Sequence, residues 1–202
     1  MTQRIGLCGS HRTGKTTLAV ALSKSLGIDM IPIHTSAVFA EHKLDPAQPM
    51  DIATRMQIQH KILDRAIESW QPENRDMVSD RTPLDMLAYM FADIQGSIKV
   101  DNDKMDAYIH RCFEVTNYCF THLVVIQPGI PLVFEKGKAA LNRAYMEHLN
   151  SLIIGLCYDE RMSVPKKMVI HRKIILLEER FYAILQNFFT NGYISYSLAY
   201  ET

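Results

Sequence analysis

The sequence of 202 residues lacks several features that mark special classes of protein. Its four cysteines include no CxxC pair, which argues against a disulfide scaffold and against a cysteine-based zinc site. Lysine plus arginine number 22 and aspartate plus glutamate also number 22, so no excess of one sign favours a DNA-coating surface. No apolar run approaches the roughly 20 residues that a membrane-spanning helix needs. These absences leave an ordinary globular protein. A small local basic patch is still compatible with the composition.

The length of the chain, its N-terminal residues and its cysteines indicate the number of domains and the cellular compartment. A chain of this size suits one hydrophobic core, so we expect a single domain over residues 1–202. The N-terminus begins with a predicted strand and not with a basic segment followed by an apolar signal region. Cys112 and Cys119 lie a heptad apart in a predicted helix, a spacing typical of buried thiols. We therefore expect a reducing, cytoplasmic location.

Short apolar runs alternate along the chain with longer segments of helical period. The predicted strands are residues 5–8, 30–33, 76–79, 123–126 and 168–170. The predicted helices are residues 16–26, 52–70, 84–94, 105–119, 142–156 and 176–189. Uniformly apolar strands that alternate with helices indicate an α/β fold with a mostly parallel five-stranded sheet and helices on both faces. Residues 35–49 are polar and interrupted by proline.

The C-terminal tail, residues 190–202, has alternating apolar side chains, several of them tyrosine. This pattern is compatible with an added edge strand or a contact between two copies of the chain, and a homodimer is one interpretation. A tail packed on its own domain is the simpler one.

The strongest signal is a stretch that fits the P-loop pattern GxxxxGK[ST]. It directly follows the first predicted strand and opens the first predicted helix, which is the position that phosphate binding requires. Glycines let backbone N–H groups curl around a polyphosphate, Lys15 can reach the terminal phosphates, and the Thr16 hydroxyl can bind Mg²⁺. We therefore expect ATP and Mg²⁺ to bind here. The predicted nucleotide-binding residues are Gly9, Ser10, His11, Arg12, Thr13, Gly14, Lys15, Thr16 and Thr17. For His11 and Arg12, at the tip of the loop, a solvated position without phosphate contact is the alternative.

A second group of polar residues follows the predicted strand 76–79. Asp80 stands where a Walker B carboxylate belongs and is a candidate ligand of Mg²⁺ or of its waters. Arg81 can direct a guanidinium group at an anionic acceptor or at the phosphoryl group in transfer. Thr82 as an N-cap and Pro83 in the first helical turn would fix this geometry. The alternative is an ordinary junction between a strand and a helix that carries a surface ion pair.

Together the segments GSHRTGKTT and SDRTPLDMLAY resemble those of small P-loop kinases. Thymidylate kinases with their Asp-Arg motif, deoxynucleoside kinases and the kinase domain of nicotinamide-riboside kinases share these features. The chain is most similar to the broad AAA domain group of P-loop proteins, which bacteria and their phages often carry. The similarity spans most of residues 4–170, and the P-loop and the Asp-Arg motif are its specific parts. It implies a P-loop NTPase three-layer sandwich with a helical lid.

The resemblance also implies roles for particular side chains. Asp80 and Arg81 would lie in the acceptor site, near the phosphate in transfer. Residues 135–156 would form the lid, which lacks the arginine-rich run of adenylate-kinase lids, and Arg143 would reach over the ATP phosphates. A solvated start of a helix is the alternative for Arg143. Glu41 is a candidate base for a hydroxyl acceptor, although a surface helix residue is the simpler interpretation.

Three functions remain open at this stage. The first is an ATP- and Mg²⁺-dependent kinase that phosphorylates a nucleoside or a nucleoside monophosphate, with Lys15, Asp80, Arg81 and Arg143 as its catalytic residues. The second is a kinase acting on hydroxymethyl groups of modified pyrimidines in phage DNA, with the basic residues 166–173 helping to hold the strand. A solvated face is the simpler interpretation of these basic residues. The third is a P-loop ATPase that serves as a regulator. The neutral net charge favours a small acceptor over DNA. The Asp-Arg motif disfavours the third function, because a regulator that only senses ATP needs no arginine on the acceptor side.

Overall fold

The computed structural model describes residues 2–46, 48–71, 75–94, 96, 98–133 and 142–189. Its central element is a five-stranded sheet. Every strand pair is parallel, and the strand order β2-β3-β1-β4-β5 places β1 in the middle. The strands are β1 (Arg4–Cys8), β2 (Asp29–Ile31), β3 (Met77–Ser79), β4 (His122–Ile126) and β5 (Lys166–Ile170). The helices of the described ranges are α1 (Lys15–Leu26), α2 (Thr35–Glu41), α3 (Ile52–Trp70), α4 (Pro83–Ala92), α5 (Asn102–Cys119), α6 (Arg143–Cys157) and α7 (Leu177–Phe189).

Different helices cover the two faces of the sheet. Ile5 and Leu7 of β1 pack into the core formed with α1 and α7, whereas Cys8 joins the core formed with α2 to α6 on the opposite face. Consecutive side chains of a strand point to opposite faces, so a strand covered on both sides must be apolar throughout. The predicted α/β three-layer sandwich is confirmed, and the sheet of the described residues is parallel throughout.

The predicted strands and helices are present, with ends that differ by up to three residues. The polar segment 35–49 contains a further helix, α2, over Thr35–Glu41. Val38 and Phe39 are 2% and 5% exposed, and their burial stabilises a helix too short to be stable by itself. A pattern of only two buried positions gives no recognisable helical period, so the tertiary contact decides the outcome.

Other expectations concern the cysteines and the chain segments beyond the core. All four cysteines are free and buried, which confirms buried thiols at Cys112 and Cys119. In the described ranges, no helix combines the length and the apolar character needed to cross a membrane. The C-terminal tail and residues 135–141 of the predicted lid lie outside the described residues. The remainder of the predicted lid is α6, which packs against α4.

A buried carboxylate joins the end of β1 to the start of α4. Asp85 is 0% exposed, and one of its oxygens accepts hydrogen bonds from the N–H and hydroxyl of Thr82 at 2.9 and 3.0 Å. The other oxygen accepts from the N–H of Gly9 at 3.0 Å. The two segments approach so closely that a Cβ on Gly6 would lie 2.6 Å from Cγ2 of Thr82. The β3–α4 junction is therefore held directly against the segment that follows β1.

We expect Asp85→Asn to lower the free energy of unfolding by about 2–4 kcal/mol, because an amide cannot accept at both ends and leaves a buried donor without a partner. Chemical denaturation measures this loss. Asp51→Asn is the matched control, since Asp51 caps the exposed N-terminus of α3 and asparagine caps a helix about as well. Equal stability of the two variants would show that the Asp85 contacts contribute little.

Candidate active site

The P-loop lies at the carboxyl end of the central strand, between β3 and β4, where ligands of open parallel sheets bind. A Cβ on Gly9 would lie 2.6 Å from the carbonyl oxygen of Ile126, so the first glycine is required by close approach. Arg12 and Gly14 adopt positive φ values of 60° and 82°, which turn the loop back into α1. The loop thereby brings its backbone N–H groups to the N-terminus of that helix, an arrangement suited to anions.

Lys15 lies within this loop and is 7% exposed. Its Nζ donates to the carbonyl oxygens of Gly9 and Ser10 at 2.6 and 2.7 Å. Burial lowers the pKa of Lys15 to about 8, against the opposing effect of the Asp85 carboxylate. An anion near Nζ would favour the charged form and raise this pKa again, so the ammonium group is suited to a phosphate ligand.

Thr16 and Asp80 form a pair of oxygen ligands beside the loop. The Thr16 hydroxyl donates to Oδ2 of Asp80 at 2.7 Å, and Oδ1 accepts from the N–H of Ile33 at 3.2 Å. Hydroxyl and carboxylate oxygens are the ligands that Mg²⁺ prefers, and the ion usually keeps waters and substrate phosphates as its other ligands. No group of three or more histidine, cysteine, aspartate or glutamate residues suited to a metal occurs in the described part of the chain. The donor set therefore fits Mg²⁺ held together with a nucleotide.

Aromatic side chains connect the tip of the P-loop to the Asp-Arg motif. The guanidinium carbon of Arg81 lies 5.8 Å from the ring centre of Tyr89, whose hydroxyl is 3.1 Å from Nδ1 of His11. Tyr145 of α6 completes the group, with ring centres 6.0 Å from His11 and 6.4 Å from Tyr89. Burial raises the pKa of Tyr89 and raises that of Tyr145 to about 12, so both hydroxyls stay protonated donors.

An ion pair extends this aromatic group toward α2 and α3. Nε of Arg55 lies 2.6 Å from the Asp93 carboxylate, and the guanidinium carbon is 5.5 Å from the ring centre of Phe39. Burial raises the pKa of Asp93 although Arg55 opposes the shift. The Asp93 charge also helps to raise the pKa of Tyr145, which places the pair and the tyrosine in one electrostatic environment. The surroundings of the Asp-Arg motif therefore combine aromatic faces with polar groups.

The β4 side of the P-loop carries a cavity of about 520 Å³. It is lined by residues 128–132, Arg143, Met146, Glu147 and Arg172. Arg172 and Glu147 form a two-point ion pair at 2.6 and 3.0 Å. Ile130 reaches the P-loop, since a Cβ on Gly14 would lie 3.0 Å from its Cδ1. A Cβ on Gly129 would lie 2.0 Å from the carbonyl oxygen of Arg172, so glycine is needed where the loops after β4 and β5 meet.

The structure brings most of the predicted site residues together. Lys15, Thr16, Asp80 and Arg81 surround the P-loop, whereas the exposed Arg143 lies at the separate cavity. Within the P-loop, Thr13 donates its hydroxyl to the carbonyl of Ser10 at 3.0 Å, and Arg12 donates to the carbonyl of Val133 at 2.6 Å. Thr17 is exposed on α1.

Two further candidates, Glu41 and the basic residues 166–173, are not placed as a functional site would require. Glu41 is exposed and held by Arg65 through two hydrogen bonds of 2.8 and 2.7 Å, which supports the surface interpretation. The basic residues 166–173 do not form one patch, because Lys166 and Lys167 stand at the start of β5 and the others follow its end. Arg172 is moreover paired with Glu147.

Several residues of the site escaped the sequence analysis. Asp85 follows the predicted N-cap Thr82 at the spacing of a capping box, so the sequence does carry a signal for Asp85. The pair of Arg55 with Asp93 and the position of Tyr89 depend on contacts between separate helices, for which one sequence carries no signal. The same holds for Arg180 of α7, whose Nη1 donates to the carbonyl of Thr13 at 2.7 Å.

The chain resembles known proteins in sequence pattern and in fold. The family model described as AAA domain matches residues 4–121. No curated protein matches the chain in sequence. A deoxyadenosine kinase from M. mycoides, solved with dCMP and dCDP, is 18% identical with a TM-score of 0.63, and the match covers 90% of this chain and 96% of that one. The NadR protein in complex with NR is 12% identical with a TM-score of 0.63, and the match covers 96% of this chain and 53% of NadR.

A third solved structure is the YorR protein from Bacillus subtilis in complex with phosphorylated GDP. It is 12% identical with a TM-score of 0.52, and the match covers 90% of this chain and 92% of YorR. These identities are low, so the three structures establish the fold of small P-loop kinases. The family match covers more than half of the chain and contains the P-loop and the Asp-Arg motif. The chain belongs to the AAA domain family.

Proposed function

We propose that the chain is a phosphotransferase that moves the γ-phosphoryl group of ATP to a nucleoside or a nucleoside monophosphate. The observation that carries this proposal is the arrangement of two ligand surfaces around one P-loop. The cavity near Arg143 and Arg172 is lined by the segment that follows β4, and the group of Arg81, Tyr89 and Tyr145 lies beside the Asp-Arg motif that follows β3. A regulator that only senses ATP has no use for the second surface.

The donor nucleotide would span the P-loop and the cavity. A volume of about 520 Å³ lies within the range of small-molecule sites and admits a base with its ribose. Arg143 at the rim would then meet a phosphate or the ribose, which keeps it a proposed catalytic residue. Lys15 and the loop N–H groups would bind the terminal phosphates, and Mg²⁺ on Thr16 and Asp80 would neutralise charge on the phosphate oxygens.

The acceptor would lie beside Arg81, facing the same phosphate from the other side. Phosphoryl transfer depends mainly on position and on the stabilisation of charge, and the Arg81 guanidinium can supply both. The tyrosine faces can stack on a base, and the pair of Arg55 with Asp93 offers both a donor and an acceptor to it. The nucleoside and nucleotide ligands of the structural relatives support an acceptor of this class.

The structure supports a small acceptor better than DNA. A nucleic-acid track needs a continuous basic surface, and the basic residues after α6 are divided between the two ends of β5. Lys166 donates to the carbonyl of Phe188 and Lys167 to that of Met162, at 3.1 and 3.2 Å, so neither ammonium group is held toward the P-loop end of the sheet.

A panel of acceptors tests the proposed function directly. Deoxynucleosides, their monophosphates and nicotinamide riboside are supplied with ATP and Mg²⁺, and ADP release is followed in a coupled assay. We expect one class of small acceptor to raise ADP release about tenfold or more above the rate with ATP alone, because P-loop kinases position the acceptor for transfer. An oligonucleotide with hydroxymethylated pyrimidines should give no increase. Release that no small acceptor stimulates would contradict the proposal.

Substitutions at the P-loop separate binding from transfer. We expect Lys15→Ala and Asp80→Asn each to lower turnover by about 100-fold or more, because Lys15 supplies positive charge to the transferring group and Asp80 would hold the Mg²⁺ that supplies it too. Asp80→Asn should leave ATP affinity within roughly threefold of the wild type, since the P-loop makes the phosphate contacts. Steady-state kinetics and calorimetry measure the two effects.

The matched control is Lys24→Ala, which removes an exposed lysine from the same helix as Lys15. It should leave both turnover and affinity unchanged. Near-normal turnover of Asp80→Asn would show that this carboxylate has no part in transfer.

A further inference from the structure

Arg180 is a buried arginine that connects two loops of the active site. It belongs to the first turns of α7 and is 2% exposed. Its Nη1 donates to the carbonyl oxygen of Thr13 in the P-loop at 2.7 Å, and its Nε donates to the carbonyl oxygen of Ile174 at 2.7 Å. One side chain therefore ties the P-loop to the segment between β5 and α7.

The charge of this side chain has no counterpart in the described part of the protein. No carboxylate there forms an ion pair with Arg180, and its neighbours Glu178 and Glu179 are exposed. Burial lowers the pKa of the guanidinium, and its Nη2 is buried without a hydrogen-bond partner among the residues that the structure describes. A buried charge is costly unless an opposite charge compensates it, so the site calls for an anion.

The position of the guanidinium indicates which anion this is. A Cβ on Gly14 would lie 3.4 Å from Nη1, so the group packs directly on the Thr13–Gly14 backbone at the start of α1. The same backbone forms the phosphate-binding turn of the P-loop. The guanidinium therefore adds positive potential to a helix N-terminus that already favours phosphate.

Arg4 is a second buried arginine, and its contacts lie away from the P-loop, so it can be compared with Arg180. It is 6% exposed and donates to the carbonyls of Cys119 and Trp70, at the opposite end of β1 from the P-loop. Both arginines thus cross-link segments through backbone carbonyls. Only Arg180 does so at the phosphate loop, which makes Arg4 a matched reference for the structural contribution alone.

We propose that Arg180 is a positioning residue whose counter-charge is the polyphosphate of the donor nucleotide. It acts through the Thr13–Gly14 backbone, which it holds from the side of α7, and it selects for nucleotides that carry β- and γ-phosphates. This inference rests on the proposed function for its ligand, ATP, and not on the identity of the acceptor.

The test compares the affinities of the full chain for ATP and for AMP by calorimetry. Arg180→Gln removes the charge and keeps a donor, and we expect it to lower ATP affinity about tenfold or more while AMP affinity changes by less than roughly twofold. Arg180→Lys keeps the charge and should retain ATP affinity within roughly threefold. Arg180→Met is a second neutral variant if the glutamine variant does not fold. Arg4→Gln should lower the melting temperature and leave the ratio of the two affinities unchanged.

Three outcomes overturn the inference, and a fourth bears on the proposed function alone. Equal losses for ATP and AMP in Arg180→Gln would show a structural role, and an unchanged ATP affinity would show no role. A loss in Arg180→Lys as large as in Arg180→Gln would show that charge is not the cause. A wild-type chain that prefers ATP through Arg180 but phosphorylates no acceptor would contradict the proposed function and leave this inference intact.

Discussion

The hydrogen bonds of one buried carboxylate, that of Asp85, are the constraint on which the rest of the site depends. They join the first N–H of the P-loop to the start of α4, and so they determine where the loop stands relative to the Asp-Arg motif. The contact of Thr16 with Asp80 and the approach of Tyr89 to His11 both follow from this relation. A polar group at this depth is stable only because every partner is matched.

The charges of the chain gain a function from this geometry. The sequence as a whole is neutral, yet Lys15, Arg81 and Arg180 lie around one loop at the centre of the sheet. Burial of Lys15 and Arg180 disfavours their charged forms, and both pKa values are lowered. A polyphosphate would compensate these charges, so ligand binding and the stability of the site are expected to be coupled. A kinase of small molecules needs positive charge only around the phosphates, so the rest of its surface can be neutral. A DNA-binding surface needs positive charge over a larger area.

Much of the fold could be predicted because its signals are local. Apolar strands, helical periods and the P-loop pattern can each be recognised within a short segment of the sequence. Asp80 likewise follows β3 as expected. Features that arise from contacts between distant segments could not be predicted in this way. The burial of Phe39 creates α2, and the length of β5 separates basic residues that are close in sequence. The positions of Arg55 and Arg180 depend on partners far along the chain.

The central claim is that the γ-phosphoryl group of ATP is transferred to a nucleoside-like acceptor and not to water. Phosphorus NMR of a reaction with ATP, Mg²⁺ and the acceptor that stimulates ADP release follows this group directly. The account predicts a new phosphate-ester signal that grows in step with the loss of ATP, with little inorganic phosphate. A signal of inorganic phosphate alone, whatever the acceptor, would contradict it.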